Sequence, residues 1–362
     1  MKKIIFGITS LTLGGAERVL VDIANKLSSE YDITIYTIYD GGELKKQLND
    51  KVKTISMYSK PYNEYNKLER IKISIKLLLK DKPPKGYDTQ IAFLEGPITR
   101  LFSKKSEAKK IVWVHNDISK VFGKGLKSKA KQIIDGKVYK KYNNIIFVSE
   151  ENKKDFNNIY GNKYNERVIR NYLDYEKVIE KAEEPIQMPY YKNDINLVSV
   201  CRLVEQKALD RFIKVYAKLE KEGIHSKVYI IGDGNLRYTL QKQIDSLGET
   251  NNFILLGAKE NPYPYIKNAD YFCLLSYYEG YGMVLDEAKI LNKDIIITDT
   301  AAKESIRNYK KSNILENTEK GIYIGLKKIL TSDNIKEQII LKNNEQNAEY
   351  YKNIIEQIKE II

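Results

Sequence analysis

Short apolar runs alternate with segments of helical period along most of the chain. Lys3–Ile8 predicts a strand, Ala16–Ser28 an amphipathic helix and Ile33–Tyr39 a second strand. Thr89–Phe93, Lys110–Val114 and Ile145–Val148 predict further strands. The pattern lapses over Asp174–Asn193, where a charged stretch ending in Pro185 predicts a linker. It then restarts, with strands predicted at Asn196–Val200, Lys227–Ile231, Asn252–Leu256, Tyr271–Leu275 and Asp294–Thr298. Such alternation is the signature of parallel sheets covered by helices on both faces. The chain thus reads as α/β, with two Rossmann-like doubly wound domains at residues 1–175 and 193–345, a linker at 176–192 and a final helix at 346–362. Sheets of this kind bind ligands at the carboxyl ends of their strands, which predicts a cleft between the two domains.

The 362 residues suit two or three domains of roughly 100–200 residues each. Charge is distributed unevenly. Residues 1–175 carry 34 Lys and Arg against 20 Asp and Glu, and the remainder carries 27 against 28. All of the net charge of +13 therefore lies in the front half, densest at Lys104–Lys110 and Lys120–Lys141. A one-sided basic surface attracts polyanions: nucleic acid, anionic lipid headgroups or phosphorylated substrates. Without other evidence, an ordinary solvated surface is the better reading. Nucleic-acid binding would need a recognisable module or an aromatic-basic platform, and the chain has neither. Cys201 and Cys273 sit in apolar runs, predicting buried strand positions and a reducing, cytoplasmic compartment. No apolar run approaches the length of a bilayer span. Met1–Ile8 imitates a secretion signal, but Gly14-Gly15-Ala16-Glu17 leads straight into an amphipathic run without a cleavage site, so a strand, glycine turn and helix fit better.

Chemistry concentrates in Ser276–Ala288. A strand ends in a loop carrying Glu279, Gly280 and Gly282, and a helix begins near Met283. The glycines let backbone N–H groups approach a ligand, and a helix N-terminus carries partial positive charge suited to phosphate. Glu287, early in that helix, suits a pair of ribose hydroxyls, and Glu279 suits a sugar. Two glutamates at this spacing are, taken alone, usually a solvated helix start.

The segment resembles the E-x7-E signature of retaining GT-B glycosyltransferases of family 4, glycosyl transferases group 1, of the bacterial surface-polysaccharide type. Val198–Asp210 resembles that family's strand, loop and helix bearing an Arg and a Lys, and Ile230–Arg237 resembles its next strand and turn. Leu256-Gly257, Asn261-Pro262-Tyr263 and Asn268-Ala269-Asp270 follow in the family's order. The likeness covers almost the whole second domain. It is thinner in the first, resting on Gly14–Glu17, Trp113–Asp117 and Val148-Ser149-Glu150.

The resemblance implies that Arg202 and Lys207 hold the donor diphosphate and stabilise charge growing on the leaving group. It implies Glu287 on the ribose, Glu279 on the transferred sugar, and backbone at Gly280, Tyr281 and Gly282 lining the donor. From the first domain, Gly15 would permit close approach to phosphate or acceptor, and His115 would contact the donor sugar. By its own position after a strand of the first domain, Glu95-Gly96-Pro97 would face the cleft and contact the acceptor. The final helix would pack back on the first domain.

No two aspartates are separated by one residue, and Cys and His are too scarce for a zinc site, so no metal and no cofactor is expected. Two departures stand out: Cys201 replaces the family's small glycine, and Thr300–Glu304 lacks its glycine-rich turn. The resulting expectation is transfer of a hexosyl or N-acetylhexosaminyl group from a UDP-sugar to a saccharide acceptor, lipid-linked, in capsule, exopolysaccharide or cell-wall glycan synthesis. The protein would be peripheral on the inner face of the membrane, with Lys124–Ile134 as a basic amphipathic helix on an anionic surface. A nucleotide-sugar epimerase or hydrolase of the same fold is the alternative, and it would call for more acid-base residues than His115 offers.

Overall fold

The computed structural model describes residues 1–12, 14–115, 126–186, 194–332 and 343–362; of Leu78, 126–131 and 343–347 it describes the backbone alone. The chain divides into two compact units, Met1–Leu173 with Tyr351–Ile362, and Asp174–Tyr350.

The first unit runs β1 (Lys3–Ile8), α1 (Gly15–Leu27), β2 (Asp32–Tyr39), β3 (Lys53–Tyr58), α2 (Lys67–Leu79), β4 (Thr89–Ala92), α3 (Pro97–Phe102), β5 (Lys109–Val114), α4 (Leu126–Tyr139), β6 (Asn144–Phe147), α5 (Glu150–Tyr160) and β7 (Glu166–Val168). Its strands pair in parallel in the order β3-β2-β1-β4-β5-β6-β7. Central strands are covered on both faces, so they read as continuous apolar runs. Phe6, Phe93, Phe102, Trp113 and Phe147 are fully buried there.

The second unit runs α6 (Tyr175–Ala182), β8 (Asn196–Val200), α7 (Leu209–Lys221), β9 (Lys227–Ile231), α8 (Arg237–Leu247), β10 (Phe253–Gly257), α9 (Tyr263–Asn268), β11 (Tyr271–Leu274), α10 (Met283–Ile290), β12 (Asp294–Thr298), β13 (Ser312–Leu315), α11 (Glu319–Leu330) and the start of α12 (Asn343–Ile361). Its parallel order is β10-β9-β8-β11-β12-β13. Phe253 packs edge-on between Phe212 and Tyr216, with centroids at 5.3 and 5.5 Å, tying α7 to the sheet. Two Rossmann-like parallel α/β sheets are present, as the alternation predicts.

The differences have local causes. β3, β7 and β13 escape the reading because they are edge strands, partly exposed and without an apolar run. The stretch predicted as a linker holds α6, whose N-terminus is capped by Asp174 Oδ1 accepting from Lys177 N–H at 3.2 Å. Only Val178 and Ala182 are buried on it, where it packs against α9 and α10, so its composition reads as charged. Cys273 is buried in β11, but Cys201 lies one residue beyond β8 in a partly exposed loop. The last turns of α12 bury Tyr351, Ile354, Ile355 and Ile358 within the first unit, and Lys359 pairs with Glu30 at 2.6 Å. Among the described residues no helix is long and apolar enough to cross a membrane.

Candidate functional site

The strand order of the second unit reverses between β8 and β11, so the loops leaving these neighbouring strands run side by side. Such a switch point is where open α/β sheets bind ligands. The loop after β8 carries Arg202 and Lys207, and the loop after β11 carries Glu279. Lys207 Nζ forms an ion pair with Glu279 Oε2, both side chains being nearly buried. Ser276 Oγ donates to the same carboxylate oxygen at 3.3 Å. The loops are stitched together by Gln206 Nε2 donating to Tyr278 O at 3.0 Å and Tyr277 N–H donating to Gln206 O at 2.9 Å.

Arg202 is exposed, and its guanidinium makes no hydrogen bond or ion pair among the described residues. Its backbone is nonetheless fixed. Cys201 N–H donates to Ile231 O at 2.9 Å and Leu203 N–H to Asp233 O at 3.0 Å. That approach demands glycine at position 232, where φ is +140° and a Cβ would fall 1.9 Å from Cys201 O. A rigid backbone holding a free cation at a strand end is suited to an anionic ligand.

Gly282, at φ 68° and ψ 64°, turns the second loop into α10, and no side chain caps that helix. Its first-turn N–H groups are therefore directed at the loop, and Gly280 has open space where a side chain would stand. Tyr281 is buried, and Ala302 from the 3-10 turn Ala301–Ile306 sits 3.4 Å from where a Cβ at Gly282 would be. A small alanine thus fits where the missing glycines of Thr300–Glu304 were noted. Glu287 is buried, and Tyr263 Oη donates to its Oε1 at 3.3 Å.

Two supports went unassigned in the sequence. Tyr263 was visible only as part of a motif, without a role. Arg211 is buried and donates to Leu275 O at 2.9 Å and Asn317 Oδ1 at 2.8 Å, with its guanidinium 4.4 Å from the Tyr277 ring centre. It props the loop that carries Glu279. Neither has a local signal, since each partner lies far away along the chain. Among the described residues no three His, Cys, Asp or Glu side chains are arranged to hold a metal ion.

In the first unit the order reverses between β1 and β4. Gly15 is exposed at the start of α1 after β1, Glu95 and Gly96 follow β4, and His115 follows β5. The His115 ring lies 4.7 Å from that of Phe93 and 6.3 Å from Trp113, with Nε2 buried and unpaired among the described residues. Burial pushes its pKa down to about 3, so the imidazole is neutral. Asn116 and Asp117 lie outside the described residues. His225 is largely exposed and meets Glu220 at 2.8 Å on the surface. The structure therefore brings Lys207 and Glu279 together beside Arg202 and α10, while Gly15 and His115 belong to the other sheet.

Comparison with known proteins agrees with this layout. Residues 180–353 match the family model described as glycosyl transferases group 1. An uncharacterized glycosyltransferase of Methanocaldococcus jannaschii is 30% identical over 207 residues, 56% of this chain and 51% of that one. The matched part thus spans about half the length of that relative. The N-acetylgalactosamine-N,N'-diacetylbacillosaminyl-diphospho-undecaprenol 4-alpha-N-acetylgalactosaminyltransferase of Campylobacter jejuni is 25% identical over 354 residues, 93% of this chain and 92% of that one. Among solved structures, Anabaena Alr3699/HepE in complex with UDP and glucose superposes with a TM-score of 0.77 at 16% identity, covering 99% of both chains, which speaks for the fold. The two Rossmann-like sheets have the GT-B architecture, and residues 180–353, just under half of the chain, resemble glycosyl transferases group 1.

Proposed function

We propose that this chain is a retaining, metal-independent transferase of family 4. It would move a hexosyl or N-acetylhexosaminyl group from a UDP-sugar to a lipid-linked saccharide during bacterial capsule, exopolysaccharide or cell-wall glycan synthesis. The observation that carries this reading is the Lys207–Glu279 pair at the switch point, beside Arg202 and the uncapped start of α10. The acceptor class follows the diphospho-undecaprenol-linked substrate in the name of the Campylobacter relative.

In this reading Arg202, Lys207 and the α10 N–H groups hold the diphosphate. Lys207 has three N–H donors, enough to keep Glu279 and reach a phosphate together. Glu279 accepts from hydroxyls of the transferred sugar, Glu287 from the ribose, and neutral His115 hydrogen-bonds the sugar. The acceptor oxygen forms its bond to the anomeric carbon on the face from which the diphosphate departs. The acceptor proton passes to a diphosphate oxygen, and the cations stabilise the charge that grows there. The basic first unit and a lipid-linked acceptor favour a peripheral position on an anionic membrane face. Of the helix proposed at Lys124–Ile134, Lys124 and Gly125 lie outside the described residues, and the rest forms the start of α4.

The test is nucleoside-diphosphate release from a panel of nucleotide sugars plus a lipid-linked acceptor, with and without EDTA. Release from one donor, indifferent to EDTA and lost in Glu279→Ala and Lys207→Ala, is the expected result. Release that collapses with EDTA would remove metal independence, and donor binding that survives Lys207→Ala would overturn the site.

A further inference from the structure

Helix α10 carries two buried charged side chains besides Glu287. The side chains of Asp286 and Lys289 are 1% and 16% exposed, and they form an ion pair at 2.5 Å one turn apart on the helix. Lys289 Nζ also donates to Ser305 O at 2.7 Å. A buried ion pair gains little stability over apolar side chains of the same shape. Apolar residues between helix and turn would close the core as well, but they would leave the turn free to slide. An ammonium has three N–H donors, so it holds the carboxylate and reaches a carbonyl on another element together. The pair thus supplies a directional tie from α10 to the 3-10 turn Ala301–Ile306.

That turn follows β12, the neighbour of β11 in the sheet, so it opens at the same carboxyl edge as the loops bearing Lys207 and Glu279. It is set close to them. A Cβ at Gly282 would lie 3.4 Å from Ala302 Cβ and 3.5 Å from Glu279 Cγ, so turn, glycine and carboxylate side chain meet around one point. Ser305, whose carbonyl Lys289 holds, donates its own Oγ to Ala302 O at 2.8 Å and passes the tie on to the alanine. At the end of β12, Thr298 Oγ1 donates to Ser276 O at 2.7 Å, and Ser276 Oγ donates to Glu279. No glycine loosens Thr300–Glu304, and Lys303 pairs with Asp299 at 2.6 Å across it. The turn is a fixed wall beside Glu279.

We propose that Lys289 is a positioning residue: it clamps the Ala301–Ile306 turn as a wall of the transferred-sugar pocket, and the clamped turn discriminates among donor sugars. Lys289 touches no substrate and acts through Ser305 and Ala302 on the space next to Glu279. The inference rests on the transferase reading above, in which Glu279 accepts from hydroxyls of the transferred sugar, and it names the element that selects that sugar. The contacts assigned to Arg202 and Lys207 on the diphosphate and to Glu287 on the ribose are not made through the clamp. The nucleotide part of the donor should therefore bind alike with it or without it.

The full chain, as wild type and Lys289→Met, is titrated calorimetrically with a panel of nucleotide sugars and with the matching free nucleoside diphosphates. The variant should bind the free nucleotide as wild type does, bind the preferred nucleotide sugar about tenfold more weakly or worse, and discriminate less among sugars on one nucleotide. Hydrogen exchange across residues 299–306 should quicken in the same variant. Lys289→Arg, which keeps the charge and the N–H donors, should restore most of the sugar-dependent binding. Lys289→Met strands the Asp286 carboxylate in the interior; should it fail to fold, Asp286→Asn/Lys289→Met removes both charges and must show the same split. Free nucleotide and nucleotide sugar weakened in equal proportion would make the pair a stability element and overturn the proposal. So would a folded variant with the sugar discrimination of wild type, or a wild type that binds every sugar alike. A wild type that binds no nucleotide sugar would sink the transferase reading itself, whereas an unaffected Lys289→Met beside a binding wild type sinks the clamp alone.

Discussion

Lys207 and Glu279 stand 72 residues apart in the chain and meet as a nearly buried ion pair. Removing one partner strands the other charge in a poorly solvated place, whereas removing both does not. Lys207→Ala should therefore lower stability by up to about 3 kcal/mol, and Lys207→Ala/Glu279→Ala should recover part of that in a thermal melt. On the proposed assignment, transfer should fall by about a hundredfold or more in both variants, because the diphosphate would lose its cation in each. Activity that returns with stability in the double variant would assign the pair a structural role only.

Tyr263 holds Glu287 by a 3.3 Å hydrogen bond. A neutral hydrogen bond to a charged group is worth roughly 1.5–3 kcal/mol, less at this length. Tyr263→Phe should raise KM for the donor several-fold while leaving kcat nearly intact, as expected for a group acting on ribose recognition rather than on chemistry. A fall in kcat at unchanged KM would contradict the assignment.

His115 links stability to acid. Its folded pKa is pushed down to about 3, below the ordinary value of 6.5. The unfolded chain thus takes up a proton that the folded chain refuses as pH falls below 6.5, and folding loses up to about 1.4 kcal/mol per pH unit from this group. The Tm of wild type should drop more steeply between pH 7 and pH 5 than that of His115→Gln. Parallel curves would show that the imidazole titrates normally. Over the same range, kcat should carry no limb from His115, since the ring is already neutral.

Gly232 lets the turn after β9 support the Arg202 loop. Gly232→Ala places a methyl 1.9 Å from Cys201 O at a φ that L residues rarely adopt. A loss of about 2 kcal/mol or more, with weakened donor binding, is expected from denaturant melts and a nucleotide titration. An unchanged melt would mean the turn yields without cost.

Much of the fold was legible because periodicity is a local property. Lys3–Ile8, Asn196–Val200, Lys227–Ile231 and Asp294–Thr298 are strands at the residues their apolar runs predict, since a strand buried on both faces must be apolar throughout. The loop at Glu279–Gly282 was equally legible, Gly282 at φ 68° being favoured by the turn it makes into α10. Edge strands β3, β7 and β13 and the helix α6 were not, because each buries too little to impose a pattern.

Which strand lies beside which is decided by global packing, and no local period encodes it. The reversal of order at β8 and β11 is what seats Lys207 against Glu279, and the supports from Tyr263 and Arg211 reach across similar gaps. Helix α2, apolar on two faces, shows the same limit. Periodicity reports that Ile71, Ile73, Ile75 and Leu77 are apolar, but only the packed structure decides which of them the core takes and which it leaves to water.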